Sequence, residues 1–296
     1  NGFEGASVTS DANAIVIEAQ NLFGPRSCEI HGIKTFNGAK ADDVILKTAS
    51  VIINTKSPLA SVFDDVIIGK QAILPEVDDI VYEDRLGTTG WIYRKKILVG
   101  TRDLLIHHGV PVLKEDFEKK YTRKGRKVLY LAEAGKLMAM FVVSYSADPQ
   151  LKKALRKLEK SGMTILVRSA DPFINDESIA ELFELPDGYI RVMNSSNGRA
   201  FEKYSNLFAQ KSPAYIVHNG SALGLVSAFS AAEDLQETRK LISVLISFGS
   251  ALGLGVVGLL AFVGGIDQLD AIKVALFQAA WCIFVNLLAK IKSLFM

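Results

Sequence analysis

Apolar and polar positions change period along this chain, and the changes divide it into segments. Ala14 to Ile17 is a short apolar run that reaches an acid, Glu18, and predicts a buried strand. Val44 to Phe63 begins with helical spacing, placing Ile45, Ala49 and Ile52 on one face, and Pro58 interrupts it. Ile80 to Gly100 holds β-formers separated by Gly87 and Gly90, the pattern of a strand meander. Lys127 to Tyr145 reads as a hairpin with Ala134 and Gly135 at its turn. The period then changes. Asp148 to Gly162 sets Leu151, Ala154, Leu155 and Leu158 on one helical face, with Gly162 as the stop. Met163 to Asp171 predicts a strand, Asp176 to Leu185 a helix, Gly188 to Met193 a strand, and Pro213 to Gly220 a further strand running into a loop. This alternation predicts a parallel α/β domain, and the meander between Glu29 and Tyr145 predicts an insertion into it. Ligands of such sheets bind at the carboxyl ends of the strands, which here are Glu18, Asp171 and Asn219.

The C-terminal part follows neither period. Leu241 to Ile266 carries no charge and is longer than the roughly 20 residues that cross a bilayer. Val274 to Ala289 is shorter, and it spans if Lys273 and Lys290 extend to the headgroups. The alternative is a buried helical hairpin of a soluble core, which rarely stays uncharged for so long. Arg239 and Lys240 precede the first run, Lys290 and Lys292 follow the second, and Asp267 and Asp270 lie in the link. Both ends are therefore expected on the cytoplasmic side, with residues 1 to about 238 cytoplasmic. Gly249 and Gly253 form a Gly-x-x-x-Gly pair, a cue for close helix packing, and Asn286 is expected to bond a neighbouring helix.

Composition adds bounds. The chain has 296 residues, room for about two domains. Hydrophobic residues make up 49% and the mean hydropathy is +0.22, which fits a membrane portion. A net charge of only +2 gives no reason to expect a nucleic-acid partner. Cys28 and Cys282 are far apart and lack metal-site spacing, so a disulfide framework is not expected and a reducing cytoplasm fits. No signal-peptide pattern opens the chain, and a start at Asn1 leads us to expect upstream sequence. His107 and His108 are adjacent, which is not a metal spacing on one helix face, and a solvated pair is expected.

Several stretches resemble, in order, the C-terminal half of a P-type ATPase of the heavy-metal-transporting subgroup. TKSPLASVF resembles the nucleotide-domain helix with Ser-Glu-His-Pro-Leu-Ala, and KKILVGTRDLLIHHGV, with Gly100, resembles the segment with Val-Gly-Asn-Arg. GRKVLYLAEAGKLMAMFVVSYSADP resembles the hairpin that leads into the phosphorylation domain. SGMTILVRSADPFINDESIAELFEL resembles the Thr-Gly-Asp-Asn strand and its helix, and LFQAAWCIFVNLLAKIKSLF the closing membrane helix.

The reactive residues of that family are mostly replaced. Its phosphorylated Asp-Lys-Thr-Gly aligns with Glu18, Ala19, Gln20 and Asn21. Glu adds a methylene and displaces the carboxylate by about 1.5 Å, and errors near 1 Å already cost about a hundredfold where geometry is strict. The lost Lys and Thr would have neutralised the moving phosphoryl group. The family's Mg²⁺-binding Asp aligns with Asn219, after His218, and a neutral amide is a poor substitute. Its His-Pro becomes Ser57-Pro58 with Lys56 in the Glu position. Of Thr-Gly-Asp-Asn, aligned with Ser169 to Pro172, only Asp171 survives, and Asp171 could equally cap the following helix. Lys203 lies where the family's phosphate-facing lysine could be. Of its Gly-x-Gly, Gly87 survives and Arg85 takes the first position, although turn glycines account for the meander as well. The Met-x-x-Ser-Ser metal ligands become Leu276, Ala279 and Ala280.

The resemblance implies a haloacid-dehalogenase-like α/β phosphorylation domain (residues 1–28 and 146–236), an inserted α+β nucleotide-domain-like module (29–145), and a two-helix transmembrane hairpin (237–296). It implies Mg²⁺ and ATP as cofactors, weakened or lost. It implies a lipid bilayer as partner, together with upstream membrane helices or another membrane protein. The function expected is that of a degenerate pseudo-pump acting as a binding or regulatory module in the cell membrane. The alternative is an active cation transporter with a divergent acceptor. A soluble hydrolase of the dehalogenase class is disfavoured by the two spans and the missing Asp-x-Asp.

Overall fold

The computed structural model describes residues 2–24, 26–55, 57–205, 216 and 219–294. It forms two compact units, one drawn from Ala12 to Ser227, the other from the first residues and the chain from Ala228 onward. The elements in order are α1 (Gly2–Ser10), β1 (Ala14–Glu18), α2 (Ala19–Leu22), β2 (Cys28–Thr35), α3 (Ala41–Asn54), α4 (Ala60–Val66), β3 (Asp78–Glu83), β4 (Gly87–Ile92), β5 (Lys95–Gly100), α5 (Arg102–His107) and α6 (Glu115–Lys119). Next come β6 (Lys127–Glu133), β7 (Lys136–Tyr145), α7 (Pro149–Glu159), β8 (Thr164–Arg168), α8 (Asp176–Phe183), β9 (Ile190–Met193), α9 (Ser195–Ser205), α10 (Ala222–Phe262) and α11 (Ala271–Leu294).

The larger unit carries two sheets among its described residues. One is parallel, in the order β1-β8-β9. Its register pairs Ala14 with Thr164 and, at the other end, Glu18 with Arg168. The second sheet, β2-β7-β6-β5-β4-β3, is antiparallel and lies in sequence between β1 and β8. The fold is therefore mixed α/β: a parallel core, an antiparallel insertion, then two apolar helices.

Local chemistry explains the punctuation. Ala134 and Gly135 both take positive φ, the two-residue turn that matches the twist of a hairpin. Asp148 caps α7 by accepting from the amides of Gln150 and Leu151 at 2.7 and 3.0 Å, and Pro149 sits where its missing N–H costs nothing. Leu151, Leu155 and Leu158 of α7 are buried, each worth roughly 1.5–3 kcal/mol in transfer free energy. In the antiparallel module Leu104 and Leu105 pack with Tyr130, Met140 and Val142 in one apolar cluster. The module also carries a four-membered ion network centred on buried Lys47 and Glu133. Lys47 donates to Asp43 and Glu133, both at 2.7 Å, and Lys95 reaches the other Glu133 oxygen at 2.9 Å.

Some expectations need adjusting. The helical pattern from Val44 is two helices, α3 and α4, divided around buried Pro58. The strand expected to run to Asp171 stops at Arg168, because Ser169 and Asp171 turn the backbone with a side-chain bond, Asp171 N to Ser169 Oγ, 3.0 Å. The strand expected over Pro213–Gly220 falls largely outside the described residues, as do Lys56 and His218.

In the smaller unit α11 runs back along α10. Trp281 Nε1 donates to the Leu245 carbonyl at 3.0 Å, Trp281 packs over Gly249, Phe277 lies against Gly253, and Lys292 meets Glu237 at 3.2 Å. The glycine pair thus faces the second helix. Both helices are long and apolar enough to cross a membrane, and only 6% of the apolar stretch of each is buried, the opposite of a hairpin inside a soluble core. The first helix begins at Ala222, well before the uncharged run, because no proline or paired glycine breaks the helical path through its charged start. Asn286 corrects another expectation: it donates to the Cys282 carbonyl one turn back at 2.8 Å, inside its own helix. Cys28 and Cys282 are both free thiols.

Candidate functional site

The carboxyl ends of β1, β8 and β9 open onto a cavity of about 350 Å³ whose lining includes Glu18, Arg168, Ser169, Asn194, Arg199 and Glu202. Strand register builds its central feature. Glu18 and Arg168 are partners across β1 and β8, and their side chains form an ion pair at 2.9 Å. The same guanidinium lies 3.8 Å from Glu202 and 5.5 Å from the Phe201 ring centroid, so α9 closes over it. The Glu18 carboxylate is thus already matched by a cation. Sequence reading did not single out Arg168, and its only signal was an arginine ending an otherwise apolar strand.

Asp171 stands in a different environment. It is 1% exposed. Ser57 Oγ donates to its Oδ2 at 2.6 Å, Tyr145 OH donates to the same oxygen at 2.9 Å, and the Phe173 amide donates to Oδ1 at 3.0 Å. Tyr82 OH also reaches the Asp171 carbonyl at 3.4 Å. Burial pushes the Asp171 carboxyl above the usual carboxylate range, against the pull of the three hydrogen bonds. Burial, then the Asp171 charge, raises the Tyr145 phenol and the nearby Cys28 thiol. Tyr82 is pushed up to about 12, chiefly by burial. The Tyr145 ring packs edge-on against Phe23 at 5.7 Å and near Phe173 at 6.2 Å, which keeps water from this node. Asp171 does not cap α8. That role belongs to Asn175, which forms a reciprocal capping box with Ser178.

The remaining sequence-derived positions scatter. Ser57 and Pro58 are buried, and Ser57 is committed to Asp171. Gly87 and Gly100 are register partners in β4 and β5, and a Cβ on either would collide with the partner backbone and with Leu104. Close strand approach accounts for both glycines. Lys203 is exposed on α9 and is not among the cavity-lining residues, whereas Arg199 and Glu202 of the same helix are. Asn219 is exposed, and its Oδ1 accepts from Ser221 N at 3.2 Å and Ser221 Oγ at 2.6 Å where α10 starts. His107 is exposed. His108 is held between Glu83 at 2.6 Å and Lys96 at 3.1 Å. Among the described residues no three His, Cys, Asp or Glu side chains converge as a metal site.

No family model matches the chain. Among curated proteins it is similar to Copper-transporting ATPase 2 of Rhizobium meliloti (strain 1021), with 22% identity over 194 residues, 65% of this chain. The chain spans 24% of the length of that protein. Among solved structures it is similar to a zinc-transporting PIB-type ATPase in an E2.Pi state, at 12% identity and a TM-score of 0.42, covering 96% of this chain and 50% of that one. It is also similar to the catalytic domain of the CPx-ATPase CopB-B, at 18% identity and a TM-score of 0.39, covering 69% of this chain and 71% of that one. The chain thus resembles heavy-metal-transporting P-type ATPases.

Proposed function

We propose that this chain is a P-type heavy-metal-ATPase-like integral membrane protein whose phosphorylation cycle is lost and whose soluble unit serves as a binding or regulatory module. The ion pair between Glu18 and Arg168 is the observation that carries this reading. A phosphoryl acceptor must present a free carboxylate to an incoming group that is itself anionic, and the site must then neutralise that group with cations of its own. Here the nearest cation is already matched by the acceptor-position carboxylate, and the aligned Lys and Thr are Ala19 and Gln20.

The described residues also fit Mg²⁺ poorly. The ion takes carboxylate and water oxygens in near-octahedral geometry. Asp171 spends its oxygens on Ser57, Tyr145 and Phe173, and Asn219 spends Oδ1 on Ser221. We assign no catalytic step to the ion. With Ser57 buried in place of the family's His, adenine recognition is weak or absent in this reading. We further propose that residues 1–28 and 146–236 act as the phosphorylation-like domain, 29–145 as the nucleotide-domain-like module and 237–296 as the membrane hairpin, with the soluble part in the cytoplasm. Upstream membrane helices or another membrane protein would complete the bilayer portion.

The test is hydrolysis of ATP by the full chain in lipid, with and without copper, zinc and other heavy-metal ions, alongside calorimetry with Mg²⁺ and ATP. The reading expects no metal-stimulated turnover and no micromolar nucleotide affinity. Metal-stimulated turnover that disappears in Glu18→Ala would establish the alternative, an active cation transporter with a divergent acceptor.

A further inference from the structure

Between α6 and β6 the chain runs Lys119, Lys120, Tyr121, Thr122, Arg123, Lys124, Gly125, Arg126 and Lys127, six basic residues in nine with no acid among them. The whole chain has a net charge of only +2, so this positive charge is local and not a property of the composition. Five of the six are exposed, and Arg126 is half-buried. Lys119 makes one loose, solvated ion pair, with Asp116 at 3.6 Å. Among the described residues the other five have no carboxylate partner. The adjacent acid is committed elsewhere: Glu118 Oε2 accepts from Tyr130 OH at 2.9 Å and meets Arg102 at 3.4 Å.

The segment is held in shape before any partner arrives. Phe117 and Tyr121 pack against the apolar cluster of the module, with ring centroids 5.3 Å apart. The Tyr121 and Thr122 amides donate to the Glu118 carbonyl at 2.8 and 3.2 Å. Lys124 at φ 61° and Gly125 at φ 74° turn the backbone sharply, in the left-handed region. Lys34 of β2 joins the same surface, its Nζ 4.5 Å from the Phe117 ring centroid. Like charges fixed this closely repel one another, and an extended array of anions relieves the repulsion. Their fixed backbone lowers the ordering cost of binding.

Two arrays have the right charge, a nucleic acid and a bilayer surface. Phe117 and Tyr121 are engaged with the core cluster, so the segment offers no stacking platform for bases. The same chain carries two helices long and apolar enough to cross a membrane, so a bilayer accompanies this surface at the raised effective concentration of a tethered pair. We infer that the surface from Lys119 to Lys127, with Lys34, binds the anionic phospholipid headgroups of a bilayer. The leaflet it meets rests on the proposed cytoplasmic placement of the soluble part, the side on which anionic lipids concentrate.

The test holds the full chain in nanodiscs of phosphatidylcholine and measures co-sedimentation with separate vesicles, of phosphatidylcholine alone or mixed with phosphatidylserine. Binding is expected to the mixed vesicles only, and it should fall as salt rises. Each basic residue near such a surface is worth about fivefold in affinity. The triple variant Lys120→Gln, Arg123→Gln, Lys124→Asn should therefore bind about a hundredfold more weakly. The variant Lys153→Gln, Lys157→Gln, Lys160→Gln removes the same charge from α7 and should bind like the native chain, with unaltered circular dichroism in both. No binding to the mixed vesicles, or equal weakening in the α7 variant, would overturn the inference. Displacement of the vesicles by RNA at matched phosphate concentration would also overturn it, by assigning the surface to nucleic acid. Vesicle binding does not depend on the chain's orientation in the cell, which protease accessibility of the soluble part tests separately.

Discussion

Two carboxylates follow neighbouring strands of one parallel sheet, and the protein treats them in opposite ways. Glu18, at the end of β1, keeps about a third of its side chain exposed and is matched by a full positive charge on Arg168. Asp171, just past β8, is fully buried and is matched only by neutral donors: two hydroxyls and an amide. The difference separates two fates for an acidic position. Glu18 is half of a surface-type ion pair, which contributes little to stability and commits the neighbouring Arg168 guanidinium. Asp171 has become a structural joint, where Ser57 from the α3–α4 connection and Tyr145 from the end of β7 meet the loop beyond β8.

The comparison predicts unequal costs of removal. Asp171→Ala leaves two buried hydroxyls and an N–H without an acceptor and should destabilise the soluble unit by about 3 kcal/mol. Thermal unfolding of the full chain, with amide exchange in α4 and β3, would measure this, and a loss below about 1 kcal/mol would show that the joint does not bind the two sheets together. Lys47→Met comes next. It leaves buried Glu133 with only the exposed Lys95 as partner, and about 2 kcal/mol should be lost. The pair also has a pH signature. Burial disfavours the Glu133 charge, but hydrogen bonds from Lys47 and Lys95 outweigh it and hold the carboxyl below its ordinary range. Its stabilisation is therefore present above the ordinary range and is lost as pH falls through the lowered value.

Asp171 should behave in reverse. Its folded-state pKa is raised, so the joint is strongest with the carboxyl protonated, and its contribution declines as pH rises through the raised value. An unfolding series taken upward in pH from the ordinary carboxylate range should show that decline in the native chain and a flatter profile in Asp171→Asn. The smallest effect belongs to Glu18. A double-mutant cycle of Glu18→Gln with Arg168→Gln should give a coupling of about 0.5 kcal/mol, and less at high salt.

Much of this frame could be read from residue pattern alone. The β3–β5 meander, the β6–β7 hairpin, α7, α8 and both apolar helices announce themselves through period, caps and turn residues. What escaped had weak periodicity. β2 carries a register shift between Ile30 and Gly32, where its alternation breaks. α9, from Ser195 to Ser205, has no apolar stripe and no buried residue, so nothing in its sequence marks it as a helix. The site was less legible than the fold. Glu18 and Asp171 stood out as acids at strand ends, but the partners that decide their chemistry are set by register and packing. Arg168 meets Glu18 only because β1 and β8 pair in parallel, and Ser57 meets Asp171 across a sequence separation of 114 residues.

The claim that Glu18 is no longer a phosphoryl acceptor rests on three independent losses: a longer acceptor paired to Arg168, no Lys or Thr beside it, and Asn219 at the aligned Mg²⁺ position. Each alone could cost on the order of 10²–10³ in rate, so restoring one residue should not restore the reaction. The most direct measurement is acid-stable ³²P incorporation from labelled ATP into the membrane-embedded full chain, as the native protein and as Glu18→Asp and Glu18→Ala. We expect no label on any of the three. Label on the native chain that vanishes in Glu18→Ala would contradict the account.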